Sequence, residues 1–284
     1  WTLSNRSVSM EHLVMGLVLL LAGTLATGNP LIPRDLELIE EIRMDMALNS
    51  FDDQYQCCSH QMEQELGKLN RSEFTKKPRI YAKYWKKAAL EWQKKGNHAQ
   101  KPPALRGEHA VAIMAYTLES HHEHTLQTPL YKSFNAAVRK AGLSRREYLH
   151  KFPFKVLHFL LTQAVSILRD SQPHLCYSVY RGVRGTRFTA RHQDVVRFGQ
   201  FTSTSLKKEE AEKFGCDTFF SVYTCYGVPI QNYSSYSYED EVLIPPYETF
   251  EVTSIIHSWN RTDIHLRSMG TFSRYNCEWL KGDI

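Results

Sequence analysis

Three short runs in the second half of the chain hold the residue types that do chemistry: Tyr180-Arg181-Gly182-Val183, Phe201-Thr202-Ser203-Thr204-Ser205, and Glu239-Asp240-Glu241 leading into Val242-Leu243-Ile244-Pro245-Pro246. An arginine inside an apolar strand is costly to bury unless it meets an anion, so Arg181 needs a carboxylate partner within the chain or a phosphate brought by a ligand. Gly182 lets a ligand approach the backbone closely. The hydroxyls of the Ser-Thr-Ser run either satisfy their own strand end or orient a carboxylate. Glu239 and Glu241 are two residues apart, so if they open a strand both side chains fall on one face. Like charges that close disfavour joint ionisation, which suits one electrostatic and one acid/base task. Acidic pairs at strand ends are commonly just solvated. This pair, however, abuts an apolar run, and from Phe214 to Asn260 the chain has no Lys or Arg against six acids.

The elements that must position these residues divide the chain in two. Before about residue 174 the apolar spacing is helical: Leu36, Ile39, Ile42 and Met46 recur at threes and fours, as do Tyr131, Phe134 and Val138. After Pro153, which suits a first helical turn, Phe154, Leu157, Leu161, Val165 and Leu168 form one stripe. Residues 81–95 also read as a helix, with Lys86, Lys87, Lys94 and Lys95 as a solvated basic face. From about 175 the period changes to two, predicting strands at Ser178–Val183, Val195–Ser205, Thr218–Cys225, Glu241–Ile244 and Phe250–Ile256. Helices followed by strands predict an α+β fold, a helical portion packed on a C-terminal β core. They disfavour a doubly wound dinucleotide fold, for which the GxGxxG signal is also lacking.

A composition of 42% hydrophobic and 23% charged residues in 284 excludes disorder, collagen and coiled coil, and leaves a core large enough to stand without staples. The net charge of +5 is mild, so nucleic acid is not an expected partner, but it conceals opposed blocks. Residues 35–65 carry nine acids and one base, and residues 68–106 carry twelve bases and two acids. The apolar run Leu13–Leu25 after Met10, ending at Ala26-Thr27-Gly28, predicts a secretory signal over residues 1–28 and a single domain over 29–284. The run is short for a membrane span, and no hydrophobic tail is expected to direct a lipid anchor. Secretion makes Cys57, Cys58, Cys176, Cys216, Cys225 and Cys277 candidate disulfide partners in any of 15 full connectivities. Sequons at Asn70, Asn232 and Asn260 suit an extracellular chain. His121-His122-Glu123-His124 reads as a polar loop rather than a metal site, and no metal is expected.

Taken together and in order, these runs resemble the arginine-specific mono-ADP-ribosyltransferases of the vertebrate secreted and cell-surface type, whose core carries an Arg, Ser-x-Ser, Glu-x-Glu pattern. The resemblance runs from about residue 48 to Leu280 and includes Phe51-Asp52-Asp53-Gln54-Tyr55 and Phe152-Pro153-Phe154-Lys155. It also includes Arg197-Phe198-Gly199-Gln200 ahead of the Ser-Thr-Ser run. It implies a two-sheet NAD-binding core and transfer of ADP-ribose from NAD, with NADP as a further donor, to an arginine guanidinium, releasing nicotinamide. By position, it implies that Arg181 holds the phosphates and the Gly182 backbone meets the nicotinamide amide. It further implies that Ser203 orients Glu241, Glu241 meets the ribose cation, Glu239 receives the guanidinium, and Phe214 packs on nicotinamide. It implies disulfides Cys58–Cys277 and Cys176–Cys225; Cys57 and Cys216 are left to pair with each other or, for Cys216, to stay free.

The physical chemistry of the residues agrees with that implication. Breaking a glycosidic C–N bond needs a carboxylate to stabilise positive charge at the sugar. A guanidinium with a pKa above ~12 needs a second carboxylate to be bound and activated. Partners are then arginine-bearing proteins or small guanidino compounds, at the cell exterior. Two other readings keep the fold: an NAD glycohydrolase with water as acceptor, and an inactive secreted binding protein in which Arg181 and Glu241 form a structural ion pair.

Overall fold

A computed structural model of the protein describes residues 39–284 apart from 77–78, 97–100, 119–127, 174 and 283–284. The expected signal segment and His121–His124 lie outside the described residues. Among the described residues, the first half builds the helices α1 (Ser59–Lys76), α2 (Arg79–Lys95), α3 (Gly107–Thr117), α4 (Leu130–Ala141), α5 (Arg145–Lys151) and α6 (Lys155–Asp170). The second half builds β2 (Tyr177–Val183), β3 (Thr186–Thr189), β4 (Val195–Val196), β5 (Thr202–Ser205), helix α7 (Lys208–Glu212), β6 (Thr218–Thr224), β7 (Val228–Pro229), β8 (Glu241–Ile244), β9 (Glu248–Ser258) and β10 (Arg261–Thr271). The α+β organisation is the one the change of period predicts.

Four local expectations are corrected. Residues around Ile39 to Met46 do not form a helix: Glu40–Arg43 is a strand, β1, paired in parallel with β3. That pairing satisfies its backbone from a segment remote in sequence, which overrides the helical spacing. Val195–Ser205 is two strands, not one, because Arg197 leaves the sheet to donate to Met46 O at 2.7 Å, Asp52 Oδ2 at 2.6 Å and Phe272 O at 2.7 Å. Gly199 follows at φ +66°, where a Cβ would stand 2.3 Å from that of Ala47. Helix α6 starts at Lys155, so Pro153 precedes its cap residue Phe154. Its first amides are received by Glu73 of α1, with Lys155 N at 2.7 Å and Val156 N at 3.2 Å. Finally, Lys95 is not part of a solvated face, since its Nζ donates to Ser234 O at 2.8 Å.

β1 and β3 form a two-stranded ribbon, and the other strands follow the order β4-β9-β10-β6-β2-β5-β8-β7. β10 runs parallel to β6 and the remaining pairs of this sheet are antiparallel. The sheet is nearly divided at its centre, because β2 and β5 share one residue pair, Tyr180 with Ser205. Two apolar cores result. The larger joins the helices around Phe51, Phe134, Leu157 and Leu161 and reaches Leu243 of β8, while the smaller gathers Val179, Phe220, Val242, Phe250, Ile264 and Leu266.

The Phe51–Tyr55 run is a clasp between the two ends of the domain. Asp52 carboxylate oxygens receive Arg274 N and Tyr275 N, and those of Asp53 receive Cys277 N and Glu278 N. The Cys58–Cys277 disulfide closes the same junction, and Cys176–Cys225 joins the entry of β2 to the exit of β6. Both are the pairs the family resemblance implies. Cys57 and Cys216 are exposed and not bonded to each other.

Candidate active site

The catalytic candidates lie at the near-division of the sheet. Arg181 follows the β2 residue that pairs with Ser205, and Ser205 in turn pairs with Glu241, the first residue of β8. One line of register across three strands therefore gathers residues sixty positions apart. Where β2 and β5 part, a cavity of about 490 Å³ opens, lined by Arg181, Gly182, Ser203, Phe214, Glu239 and Glu241. A second cavity of about 640 Å³ adjoins it along Arg139, Arg181 and Gln200.

Arg181 faces both cavities at the floor of the cleft, where shielding from bulk water lowers its pKa from the usual guanidinium value. Its Nη1 donates to Ser203 O at 2.7 Å, and among the described residues it forms no ion pair. A guanidinium held by a neutral carbonyl keeps its charge available for an anion, so the internal ion-pair alternative for Arg181 is not what the fold builds. Gly182 lines the cavity, and a Cβ there would meet Ala211 O and Gly215 O, each at 2.3 Å. The absence of a side chain lets α7 and the turn behind it lie against β2, which sets Phe214 over the cavity, itself half exposed.

The two glutamates meet in one cavity, but not by strand alternation. Glu239 ends a 3-10 turn, Ser237–Glu239, and only Glu241 is in the strand. Between them Asp240 adopts the left-handed conformation, φ +44° and ψ +51°, which Asp tolerates better than most residues. That reversal brings both flanking carboxylates to the same cavity, with Asp240 itself paired to Lys207 at 2.7 Å. Glu241 is buried and Glu239 half-buried.

The hydroxyls of the Ser-Thr-Ser run divide the positioning. Ser203 holds Arg181 through its carbonyl, and its hydroxyl lies beside that of Tyr116. Ser205 Oγ donates to Glu239 O at 2.6 Å, fixing the backbone that carries the first glutamate. Ser234, a residue outside the Ser-Thr-Ser run, donates its hydroxyl to the Glu241 carboxylate, at 2.8 Å from Oε2.

Lining residues beyond the expected site residues include Tyr116, Tyr131, Asn135, Arg139 and Gln200. Tyr131, Asn135 and Arg139 follow one another at successive turns of α4, so they share a face. Tyr131 was read as part of the apolar stripe, and the polar spacing that follows it is the signal that could have found the others. Asn135 Nδ2 and Tyr116 Oη both donate to Phe201 O, at 3.1 and 2.8 Å, and burial raises the Tyr116 hydroxyl to about 12. Arg139 Nη1 donates to Gln200 Oε1 at the mouth.

The sequence profile of the NAD:arginine ADP-ribosyltransferases matches residues 44–274. The chain belongs to this family. Within it, the chain is 50% identical over 270 residues to the erythroblast NAD(P)(+)--arginine ADP-ribosyltransferase of Gallus gallus, covering 95% of this chain and 86% of that protein. It is 44% identical over 287 residues to the GPI-linked NAD(P)(+)--arginine ADP-ribosyltransferase 1 of Homo sapiens, covering 96% and 85%. Among solved structures, a mutant of the eukaryotic mono-ADP-ribosyltransferase ART2.2 in complex with NAD superposes with a TM-score of 0.70 at 32% identity, over 83% of this chain and 98% of that one.

Proposed function

We infer that this protein transfers ADP-ribose from NAD to the guanidinium of arginine, releasing nicotinamide, and that Arg181, Glu239 and Glu241 divide the work. The observation that carries the assignment of roles is the convergence of the buried Arg181 guanidinium, held by the Ser203 carbonyl, and the carboxylates of Glu239 and Glu241 on a single cavity between the parted strands. NAD is a diphosphate anion and arginine a cation, so the site has to bind both signs.

Arg181, charged and held by a carbonyl, meets the diphosphate. Phe214, poised over the mouth, offers the flat apolar surface on which the nicotinamide ring packs. As the glycosidic C–N bond lengthens, positive charge grows on the ribose. Glu241 is fixed by its strand and buried, where a negative charge acts through a low dielectric and stabilises that charge most. Nicotinamide leaves as a neutral ring, taking the bond's electron pair. The incoming guanidinium is too basic to attack while protonated. Glu239, less buried and at the outer side of Glu241, receives it as an ion pair and takes a proton as the new N–C bond forms. Water needs no such counter-charge, which favours transfer over plain hydrolysis. NADP is a second donor on this reading, as in the names of the relatives.

The acceptors are arginine residues of proteins. The two disulfides suit an oxidising compartment, and relatives are named as GPI-linked. We therefore place the protein at the cell exterior; among the described residues no helix is long and apolar enough to cross a membrane.

The test uses labelled NAD with and without an arginine analogue. Glu241→Gln is expected to lose transfer and NAD cleavage together, by about a hundredfold or more. Glu239→Gln is expected to lose transfer and keep a measurable share of hydrolysis. Transfer at the wild-type rate by Glu241→Gln would overturn the assignment.

A further inference from the structure

Behind Glu241 stands a five-residue turn, Ile230 to Ser234, that neither the Ser-Thr-Ser run nor the Glu-x-Glu run announces. Ile230 N donates to Glu241 O at 2.9 Å, and Tyr233 N and Ser234 N both donate to Ile230 O, at 2.8 and 2.7 Å. The turn therefore hangs from the backbone of the residue whose carboxylate it touches. Ser234 is fully enclosed. Its Oγ donates to Glu241 Oε2 at 2.8 Å and accepts the Tyr236 N–H at 3.2 Å. A serine hydroxyl has one proton. The amide of Tyr236 occupies one lone pair of that hydroxyl, and its proton is directed at the Glu241 carboxylate.

The turn is itself clamped from two helices. Lys95, in the last turn of α2, donates its Nζ to Ser234 O at 2.8 Å. Thr117, at the end of α3, accepts Ser235 N on Oγ1 at 3.0 Å, and Ser235 Oγ donates to Met114 O at 3.3 Å. Ser234 thus couples the end of the helical half to one catalytic carboxylate of the strand half.

We propose that Ser234 is a positioning residue for catalysis, aligning and stabilising the Glu241 carboxylate in its charged form, with Lys95 fixing the turn that carries it. This rests on Glu241 being the group that meets the ribose cation. A hydroxyl that acts in this way contributes to the barrier and not to the holding of NAD, since its partner oxygen belongs to Glu241 and Ser234 does not line the cavity. The same serine completes the sequon Asn232-Tyr233-Ser234, so its replacement has to be separated from loss of a glycan.

The experiment measures kcat and KM for NAD cleavage in Ser234→Ala, Asn232→Gln, Lys95→Met and Glu241→Gln, with each rate normalised to the folded fraction from its melting curve. Ser234→Ala is expected to lower kcat by about ten- to a hundredfold, the range for a hydrogen bond to a charged group, with KM unchanged within about twofold. Asn232→Gln removes the sequon alone and is expected to keep the wild-type kcat. Lys95→Met, which leaves Ser234 in place, is expected to lower kcat about threefold at constant KM. It carries the test if Ser234→Ala does not fold. The double variant Ser234→Ala with Glu241→Gln is expected to be no slower than Glu241→Gln alone, because the serine then has no charge to act on. A wild-type kcat in Ser234→Ala, a loss confined to KM, or an equal loss in Asn232→Gln overturns the proposal. If Glu241→Gln is inactive while Ser234→Ala is not, this proposal alone fails; if Glu241→Gln stays active, the assignment of the site fails first.

Discussion

His158 makes a prediction that can be worked through from its surroundings. It is fully buried on α6, edge-on to Phe51 at 5.0 Å between centroids and to Phe201 at 5.7 Å. Tyr55 Oη lies 2.9 Å from Nδ1, and Phe51 O lies 3.2 Å from Nε2. A carbonyl only accepts, so Nε2 carries the hydrogen and Nδ1 accepts from the tyrosine: the neutral ring is satisfied at both ends. Protonation would place a charge among aromatic rings, and burial accordingly lowers its pKa from 6.5 to about 3. The folded value is depressed, so the stability this residue contributes is fully present above pH 6.5 and is lost as pH falls toward 3, because the unfolded chain binds the proton first. The loss amounts to about 1 kcal/mol at about pH 5.5 and about 3 kcal/mol at about pH 4.5. His109, lowered to about 4 chiefly by burial, acts with the same sign, whereas Glu73, raised to about 7 by burial, acts with the opposite one, its contribution being present below 4.5 and lost as pH rises through 7. The His158 contribution is isolated by difference. Urea unfolding at pH 7.5, 5.5 and 4.5 is to be compared between the wild type and His158→Gln, whose amide can donate and accept but does not titrate in this range. The variant starts lower because a smaller group replaces the ring, and its deficit is expected to shrink by about 3 kcal/mol across the series. A deficit that stays constant with pH would refute the assignment of a neutral, buried His158.

Two further outcomes test the elements that hold the site. Asp52→Ala strands the Arg197 guanidinium, which is fully enclosed with its carboxylate partner, and leaves Arg274 N and Tyr275 N without their acceptor; a loss of about 3–5 kcal/mol is expected, read as a shift of the urea midpoint with disulfides intact. Gly182→Ala drives a methyl group into two backbone carbonyls that cannot rotate away, at a cost of about 1–3 kcal/mol. Because the displaced chain carries Phe214, KM for NAD is expected to rise about tenfold, and an unchanged KM would show that the packing of α7 on β2 does not set the nicotinamide pocket.

How much of this was legible beforehand depends on how far apart the deciding partners lie. The α4 and α6 stripes were readable because Phe134 and Val138, or Leu157, Leu161 and Val165, report burial through their own spacing. Two of the three catalytic runs were readable because Arg181 and the Glu239/Glu241 pair place charges beside apolar neighbours, and the third because it gathers hydroxyls at a strand. Residues 39–46 carried the same helical spacing as α4, yet their backbone partner is Thr186–Thr189, and no local period encodes a strand that distant. β10 escaped for a related reason: its buried positions Thr262, Ile264 and Leu266 alternate correctly, but one of the three is polar and basic and acidic residues fall between them. Ser234 had no signal at all except a glycosylation tripeptide, since what makes it important is the 2.8 Å to Glu241.

The reason the site sits where it does follows from one pair of residues. A continuous sheet would keep β2 and β5 side by side, and Arg181 and Ser203 would face neighbours across an unbroken ladder. Here the ladder holds at Tyr180 and Ser205 alone, so the cation lies on one half of the sheet and both carboxylates hang from the other. Arg181 is then held by the Ser203 carbonyl and, among the described residues, forms no ion pair. The parting of the strands leaves the gap between opposite charges to be filled by a molecule that carries both. The modest charge of +5 for the whole chain conceals this arrangement, because what the fold controls is which opposite charges line one cavity.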